Sequence, residues 1–178
     1  YWLTIYRKPR EMQSIPEAEA RILLGRQLNC EDATDWFHGT KPGVLHIQSG
    51  LTDANGSRTN LFVDLSVRGG SLTRNARYIF SVFRMNSYGF DRVYQLCVNL
   101  TSKPVKDAHN RPHEHIGDLR REGSAAWRSW DYDEILAYFC AQTKIVFLPA
   151  PADPEHNRKG WNCREQSFRY VWQQLPNL

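Results

Sequence analysis

The sequence predicts a single α+β domain, residues 1–178, with a central antiparallel sheet and helices near both termini. Helix-capping residues and helical apolar spacing lie in both terminal thirds, whereas the middle third alternates apolar and polar side chains. Helices placed before and after a run of strands, rather than between successive strands, are typical of α+β folds. A length of 178 residues is that of one domain.

Two helices are predicted in the first third of the chain. Ser14 is the expected N-cap of the first helix, because Glu17 stands three residues later as a capping-box partner. The second, shorter helix is expected over Cys30–His38, with Asn29 as its N-cap and Gly39 at its end.

Strands are predicted in the middle of the chain. Residues 61–67 alternate apolar and polar side chains, which indicates a strand with one buried face. Residues 76–85 and 92–100 are two further strands, and the polar segment 86–91 between them is typical of a hairpin turn. Residues 113–117 are expected to form a fourth strand.

The last third returns to helical patterns. Asp131 and Glu134 form a capping box that predicts a helix, and residues 145–148 form a short apolar strand after it. Asn162, with Glu165 three residues later, opens a last helix with a clear apolar face.

Composition excludes several classes of protein. With 41% hydrophobic and 24% charged residues, the chain is neither disordered nor fibrous, and it has no run of the ~18 apolar residues that a membrane span needs. Four cysteines without CxxC spacing exclude a zinc ribbon, and reduced thiols in a cytoplasmic protein are expected. The absence of Walker, Gly-x-Ser-x-Gly and His-Glu-x-x-His motifs argues against NTP hydrolysis, serine-hydrolase chemistry and zinc proteolysis.

Positive charge is concentrated in the middle of the chain. Between Arg58 and Arg128 there are 12 basic and 6 acidic residues, a net of +6, whereas the remaining residues have a net charge of −2. Most of the 23 basic residues are arginines, whose planar guanidinium matches phosphate oxygens. The pattern favours a phosphate-bearing partner, and ordinary surface salt bridges are the alternative interpretation.

A histidine cluster is the densest chemical signal. His109, His113 and His115 are three of the six histidines and fall within seven residues. In an extended segment His113 and His115 project from one face and Glu114 from the other. Two such imidazoles suit acid–base work near neutral pH, and they equally suit a metal ion. The third interpretation is a polar loop with solvated histidines.

Arginine and aromatic side chains near the cluster are candidate partners. Arg120 and Arg121 follow it closely and are expected to stabilise a phosphate in catalysis. The expected substrate-binding residues are Arg84, Arg92, Tyr94, Trp127 and His109, with the aromatic rings stacking a base. Solvated arginines at strand ends and tryptophans in the core are the alternatives.

Three short segments carry a family resemblance: residues 92–96, residues 112–118 and Trp127. They resemble small prokaryotic domains of toxin–antitoxin-like settings, which carry a Pro-His-x-His segment after a β-hairpin. The resemblance implies a metal-independent ribonuclease held by an antitoxin. Only His113 and His115 are carried over from that family to this chain.

Together these observations predict a cytoplasmic, metal-independent endoribonuclease without a cofactor, acting on RNA and bound by an antitoxin or another protein partner. RNA brings its own nucleophile, the 2′-hydroxyl, so a base, an acid and charge stabilisation suffice. If two imidazoles so close together cannot serve both ends of the reaction, Tyr94 or Glu114 is expected to share the proton transfer. Two alternatives stay open: a non-catalytic inhibitor or adaptor with an Arg-rich face for nucleic acid or protein, and a zinc site containing His109, His113 and His115, with His156 or Cys163 as further ligands.

Overall fold

A computed structural model describes residues 13–69, 76–100 and 110–154. The helices in these residues are α1 (Glu17–Leu24), a 3-10 helix (Ala125–Ser129) and α2 (Tyr132–Thr143). The strands are β1 (Gln13–Ser14), β2 (Leu28–Cys30), β3 (Phe37–His38), β4 (Val44–Asp53), β5 (Arg58–Arg68), β6 (Arg77–Asn86), β7 (Gly89–Asn99), β8 (His113–Ile116), β9 (Leu119–Glu122) and β10 (Ile145–Phe147).

All ten strands belong to one sheet. Its order is β10-β2-β4-β5-β6-β7-β8-β9, with β1 beside β7 and β3 beside β4. The pairs β10–β2 and β1–β7 are parallel and the other pairs are antiparallel. The α+β prediction is therefore confirmed in part: a large, mostly antiparallel sheet dominates, but it is mixed. Helices near both termini are not established, because the helix expected from Asn162 lies outside the described residues.

The predicted strands of the middle third are confirmed as β5, β6, β7 and β8, and the strand predicted at residues 145–148 is confirmed as β10. The strand β4 is not among the predicted strands. Its buried residues Val44, Ile47 and Leu51 are three and four positions apart, which imitates helical spacing. The spacing arises because Ile47 and Leu51 face the hydrophobic core, whereas Val44 is buried on the opposite face of the sheet; pairing with β5 is regular from Val44 to Gly50.

The helix predicted at Cys30–His38 is wrong. Cys30 ends β2 and pairs with Phe147 of β10, while Phe37 and His38 pair with β4. The Trp36 indole donates a 2.7 Å hydrogen bond to the carbonyl of Ala152, which anchors the irregular segment between the two strands. Long-range pairing therefore outweighs the local capping signal.

The start of α1 is also fixed by a distant residue. Pro16, not Ser14, is the N-cap, and the Glu17 amide donates a 2.9 Å hydrogen bond to Asp118 Oδ1 in the β8–β9 turn. The Ser14 hydroxyl instead accepts a hydrogen bond from Arg92. The predicted capping box is thus wrong, because the cap comes from across the fold.

The helix α2 begins with the predicted capping box, in which Asp131 and Glu134 bond each other's backbone amides. Its buried face contacts one side of the sheet, where the rings of Phe139 and Phe80 are 5.7 Å apart. This side of the sheet carries the hydrophobic core. No helix in the described ranges is long and apolar enough to cross a membrane.

Candidate functional site

His113 and His115 lie on the face of β8 that points away from α2. Glu114, between them, accepts a hydrogen bond from Tyr138 of α2 and therefore points toward that helix. Because side chains alternate along a strand, the two histidines occupy the opposite face, which we call the polar face. Their ring centroids are 5.2 Å apart and the rings are nearly perpendicular. The predicted shared strand face is confirmed.

Strand register places polar side chains from three other strands on the polar face. His115 pairs with Arg120 of β9 on one side and with Gln95 of β7 on the other, and Gln95 pairs with Ser81 of β6. The Gln95 amide donates a 3.1 Å hydrogen bond to the Ser81 hydroxyl. His115 is thus one member of a polar row that crosses the sheet.

Two arginines flank this row. Arg92 donates hydrogen bonds to Ser14 Oγ at 2.7 Å and to Gln95 Oε1 at 3.5 Å, and it forms no ion pair with a carboxylate of the described chain. Burial lowers the pKa of the Arg92 guanidinium. Arg120 Nη1 lies 2.6 Å from Glu122 Oε1. A half-buried arginine without a carboxylate is costly, and an anionic ligand relieves that cost.

Both imidazoles are held in the neutral form at neutral pH. Burial, followed by the positive charges of Arg92, His113 and Arg120, lowers the pKa of His115 to about 4. Burial also lowers the pKa of His113, although its hydrogen bond with the Arg111 backbone opposes this. The positive surroundings of His115 disfavour a further proton, so a bound anion would raise its pKa, whereas His113 already faces the carboxylate of Glu122, which raises its pKa.

Hydrogen bonding fixes which nitrogen of His113 carries the proton. Its Nδ1 lies 2.6 Å from the carbonyl oxygen of Arg111, which can only accept, so Nδ1 donates and Nε2 has a free lone pair. His115 Nδ1 is buried and has no hydrogen-bond partner within the described residues. His113, which is 5% exposed, can therefore take a proton only at Nε2, and the more exposed His115 has an unused polar atom at Nδ1.

Arg121 and Arg84 do not join the two histidines. Arg121 follows Arg120 on β9 and points to the other face, where its Nη1 lies 3.6 Å from Glu114 Oε1. Arg84 forms ion pairs with Glu19 and Asp91. Their expected roles in holding a phosphate beside the histidines are therefore not supported, since both are paired with carboxylates elsewhere.

Tyr94 and Glu114 form a buried pair on the core side. The Tyr94 hydroxyl donates a 2.7 Å hydrogen bond to Glu114 Oε2, and Tyr94 is fully buried. Burial and the nearby Glu114 carboxylate raise the pKa of Tyr94 well above its usual value. The expected base stacking by Tyr94, and proton transfer shared by either residue with the histidines, are both wrong, because the sheet separates the pair from the polar face.

Trp127 is likewise a core residue. It is 9% exposed, and its ring lies 4.8 Å from that of Trp130 and 4.9 Å from that of Tyr138. It therefore offers no free ring face to a base, contrary to the expectation. His109 lies outside the described residues.

A third histidine on the polar face is not among the predicted site residues. His46 of β4 places Nδ1 3.1 Å from Asp64 Oδ1, and Phe37 stacks on its ring. Register links His46 to His113 through three intervening strands, which corresponds to about 19 Å. The sequence around His46 does not indicate this position, because His46 and His113 share a face only through the order of the strands in the sheet.

No three side chains of His, Cys, Asp or Glu in ranges 13–69, 76–100 and 110–154 lie together as a metal site. Three of the ligands considered for zinc, namely His109, His156 and Cys163, lie outside these ranges. Comparison of the chain with models of known protein families, with curated proteins and with solved structures found no match.

The lowered pKa of His115 predicts that acid destabilises the fold. Between pH 6.5 and about 4 the unfolded chain binds a proton that the folded chain does not, so the free energy of unfolding falls as the pH falls through this range. We expect a loss on the order of 2 kcal/mol for this partly exposed group. Urea unfolding at pH 7 and pH 4 measures it. His115→Gln should reduce the loss and Ser81→Ala should not; equal losses in both variants would contradict the assignment.

Proposed function

We propose that this protein is a metal-independent endoribonuclease, with His113 and His115 as its catalytic residues. The observation that carries the proposal is the convergence of two neutral imidazoles with Arg92 and Arg120 on the polar face. This combination offers a proton acceptor, a proton donor and fixed positive charge at one place. The resemblance to domains of toxin–antitoxin-like settings adds an antitoxin as the protein partner.

His113 is the general base in this proposal. Its Nε2 has a free lone pair because Nδ1 donates to the Arg111 carbonyl. It takes the proton of the 2′-hydroxyl while that oxygen attacks the phosphorus, so the O2′–P bond forms and the P–O5′ bond breaks. The products are a 2′,3′-cyclic phosphate and a 5′-hydroxyl end.

His115 is the general acid that protonates the leaving 5′-oxygen. In the free protein its low pKa keeps it neutral at pH 7. A phosphodiester bound between Arg92 and Arg120 offsets their positive charge, which raises the pKa of His115 and favours its protonation. Substrate binding thus prepares the acid, and the two arginines stabilise the charge that develops on the phosphoryl oxygens.

Single-stranded RNA, incubated with the protein in excess EDTA, tests this function. We expect cleavage of RNA but not of a DNA copy, because DNA lacks the 2′-hydroxyl, and we expect 2′,3′-cyclic phosphate ends. If the folded protein binds RNA but cuts none of a varied set, it is instead a binding module of the inhibitor or adaptor type. Equal cutting of DNA would contradict the mechanism.

A further inference from the structure

Three phenylalanine rings form a cluster on the polar face, near the start of β7 where Arg92 also lies. Phe62 of β5 pairs with Phe83 of β6, and Phe90 lies two residues before Arg92 on β7. The ring centroids of Phe83 and Phe90 are 5.0 Å apart, and those of Phe62 are 5.4 and 5.8 Å from the other two. We call these three residues the phenylalanine patch.

The patch is open to solvent at one member. Phe83 is buried beneath its neighbours, Phe62 is half-buried and Phe90 is 49% exposed. An aromatic ring that is exposed to water contributes little hydrophobic stabilisation. A ligand that covers the ring removes this surface from water, which favours binding. Phe83 orients Phe90 by an edge contact, which holds the exposed ring in one place.

Strand register puts the patch next to the arginine of the proposed catalytic site. Arg92 pairs directly with Phe83, and paired side chains on antiparallel strands are about 5 Å apart at their Cβ atoms. An irregularity between Val82 and Phe83 turns Arg92 onto this face. The exposed ring, Phe90, lies two residues from Arg92 on the same strand, about 7 Å along it, and a cation and a ring at this spacing match the phosphate and the base of one nucleotide.

We propose that the phenylalanine patch is a base-binding subsite, in which Phe90 stacks on a nucleobase of single-stranded RNA while Arg92 holds the adjoining phosphate. This inference rests on the proposed function and identifies where the protein binds its RNA substrate. A nucleobase fits better than a protein partner, because Phe90 adjoins a half-buried arginine that forms no ion pair with a carboxylate of the described residues and that the phosphate of the same nucleotide would neutralise. A phenylalanine ring can stack on any base, so the subsite positions the RNA strand without selecting its sequence.

A probe that cannot be cleaved separates binding from catalysis. The probe is a 2′-O-methyl trinucleotide carrying one 2-aminopurine, whose fluorescence falls when the base stacks. Phe90→Leu keeps an apolar side chain at this exposed position but removes the ring, and Phe90→Trp keeps a ring. Phe37→Leu is the matched control, since Phe37 is 46% exposed on the same sheet but lies four strand spacings from β7, about 19 Å away.

We expect the wild-type protein to quench the probe, Phe90→Leu to weaken binding about tenfold, Phe90→Trp to restore it and Phe37→Leu to leave it unchanged. An abasic trinucleotide should bind wild type and Phe90→Leu equally. If Phe90→Leu binds the probe as tightly as wild type does, the subsite is overturned. It is also overturned if Phe90→Leu has no effect on RNA but dissociates a dimer or a complex with another protein. If the protein quenches the probe but cuts no RNA, only the proposed function is rejected. If it cuts RNA but does not quench the probe, only the subsite is rejected.

Discussion

Replacing His113 or His115 by glutamine is expected to slow the cleavage of a short RNA by about 10²- to 10⁴-fold, the usual contribution of general acid–base catalysis. Glutamine has a similar length and is polar and uncharged, so the variants keep much of the side-chain volume at both positions. It has no group that exchanges a proton near neutral pH. The loss should therefore fall on kcat more than on KM.

The matched control is His46→Gln. His46 lies on the same face of the sheet but is about 19 Å from His113, and a dinucleotide held at Arg92 does not reach it. We expect its kcat to equal that of wild type. Thermal unfolding of all three variants shows whether each is folded. Equal losses of activity at all three positions would contradict the assignment of the site.

The pH profile of kcat/KM checks the same assignment independently. His115 must carry a proton and His113 must not, so activity is expected to be highest between about pH 4 and the lowered pKa of His113, which is below 6.5. Above that range His113 is already deprotonated, so activity falls tenfold per pH unit with the protonated fraction of His115. A maximum on the alkaline side of pH 7 would count against these roles.

Sequence patterns located the histidines but not their partners. Alternation along a strand is a local rule, so the shared face of His113 and His115 was predictable from seven residues. Arg120 and Arg121 are adjacent, and choosing between them requires knowing that β9 is a strand in register with β8. Selecting Arg92 over Arg84 requires the irregular pairing at Phe83, which no sequence pattern reports.

Long-range contacts account for the errors in the fold as well. The segment Cys30–His38 has good helix signals, yet its two ends pair with β10 and β4. Trp127 and Tyr94 are predicted to stack bases because aromatic rings near arginines suit nucleic acid. Burial decides otherwise, because Tyr94 and Trp127 lie in the core whereas Phe90, which was not considered, is exposed.

Replacing Gly117 by alanine is expected to destabilise the fold by about 3 kcal/mol or more. Gly117 has a φ of 57°, a left-handed conformation that costs a non-glycine residue roughly 1–2 kcal/mol. A Cβ at this position would also collide with the backbone carbonyl of Ile15 and approach that of Pro16, and such overpacking costs about 1–3 kcal/mol. The β8–β9 turn would have to move away from the start of α1.

The position matters because this turn joins two parts of the fold. The Gly117 amide donates to the Val93 carbonyl at 2.7 Å, and the neighbouring Asp118 caps α1 through the amide of Glu17. Gly56→Ala is the matched control, since Gly56 has a φ of 77° but nothing within 4 Å of an added Cβ. Urea unfolding should give a loss of about 1 kcal/mol for this control, from the backbone conformation alone. If both variants lose the same stability, the contact with Ile15 contributes nothing, and the turn does not hold α1 against the strand that carries the two histidines.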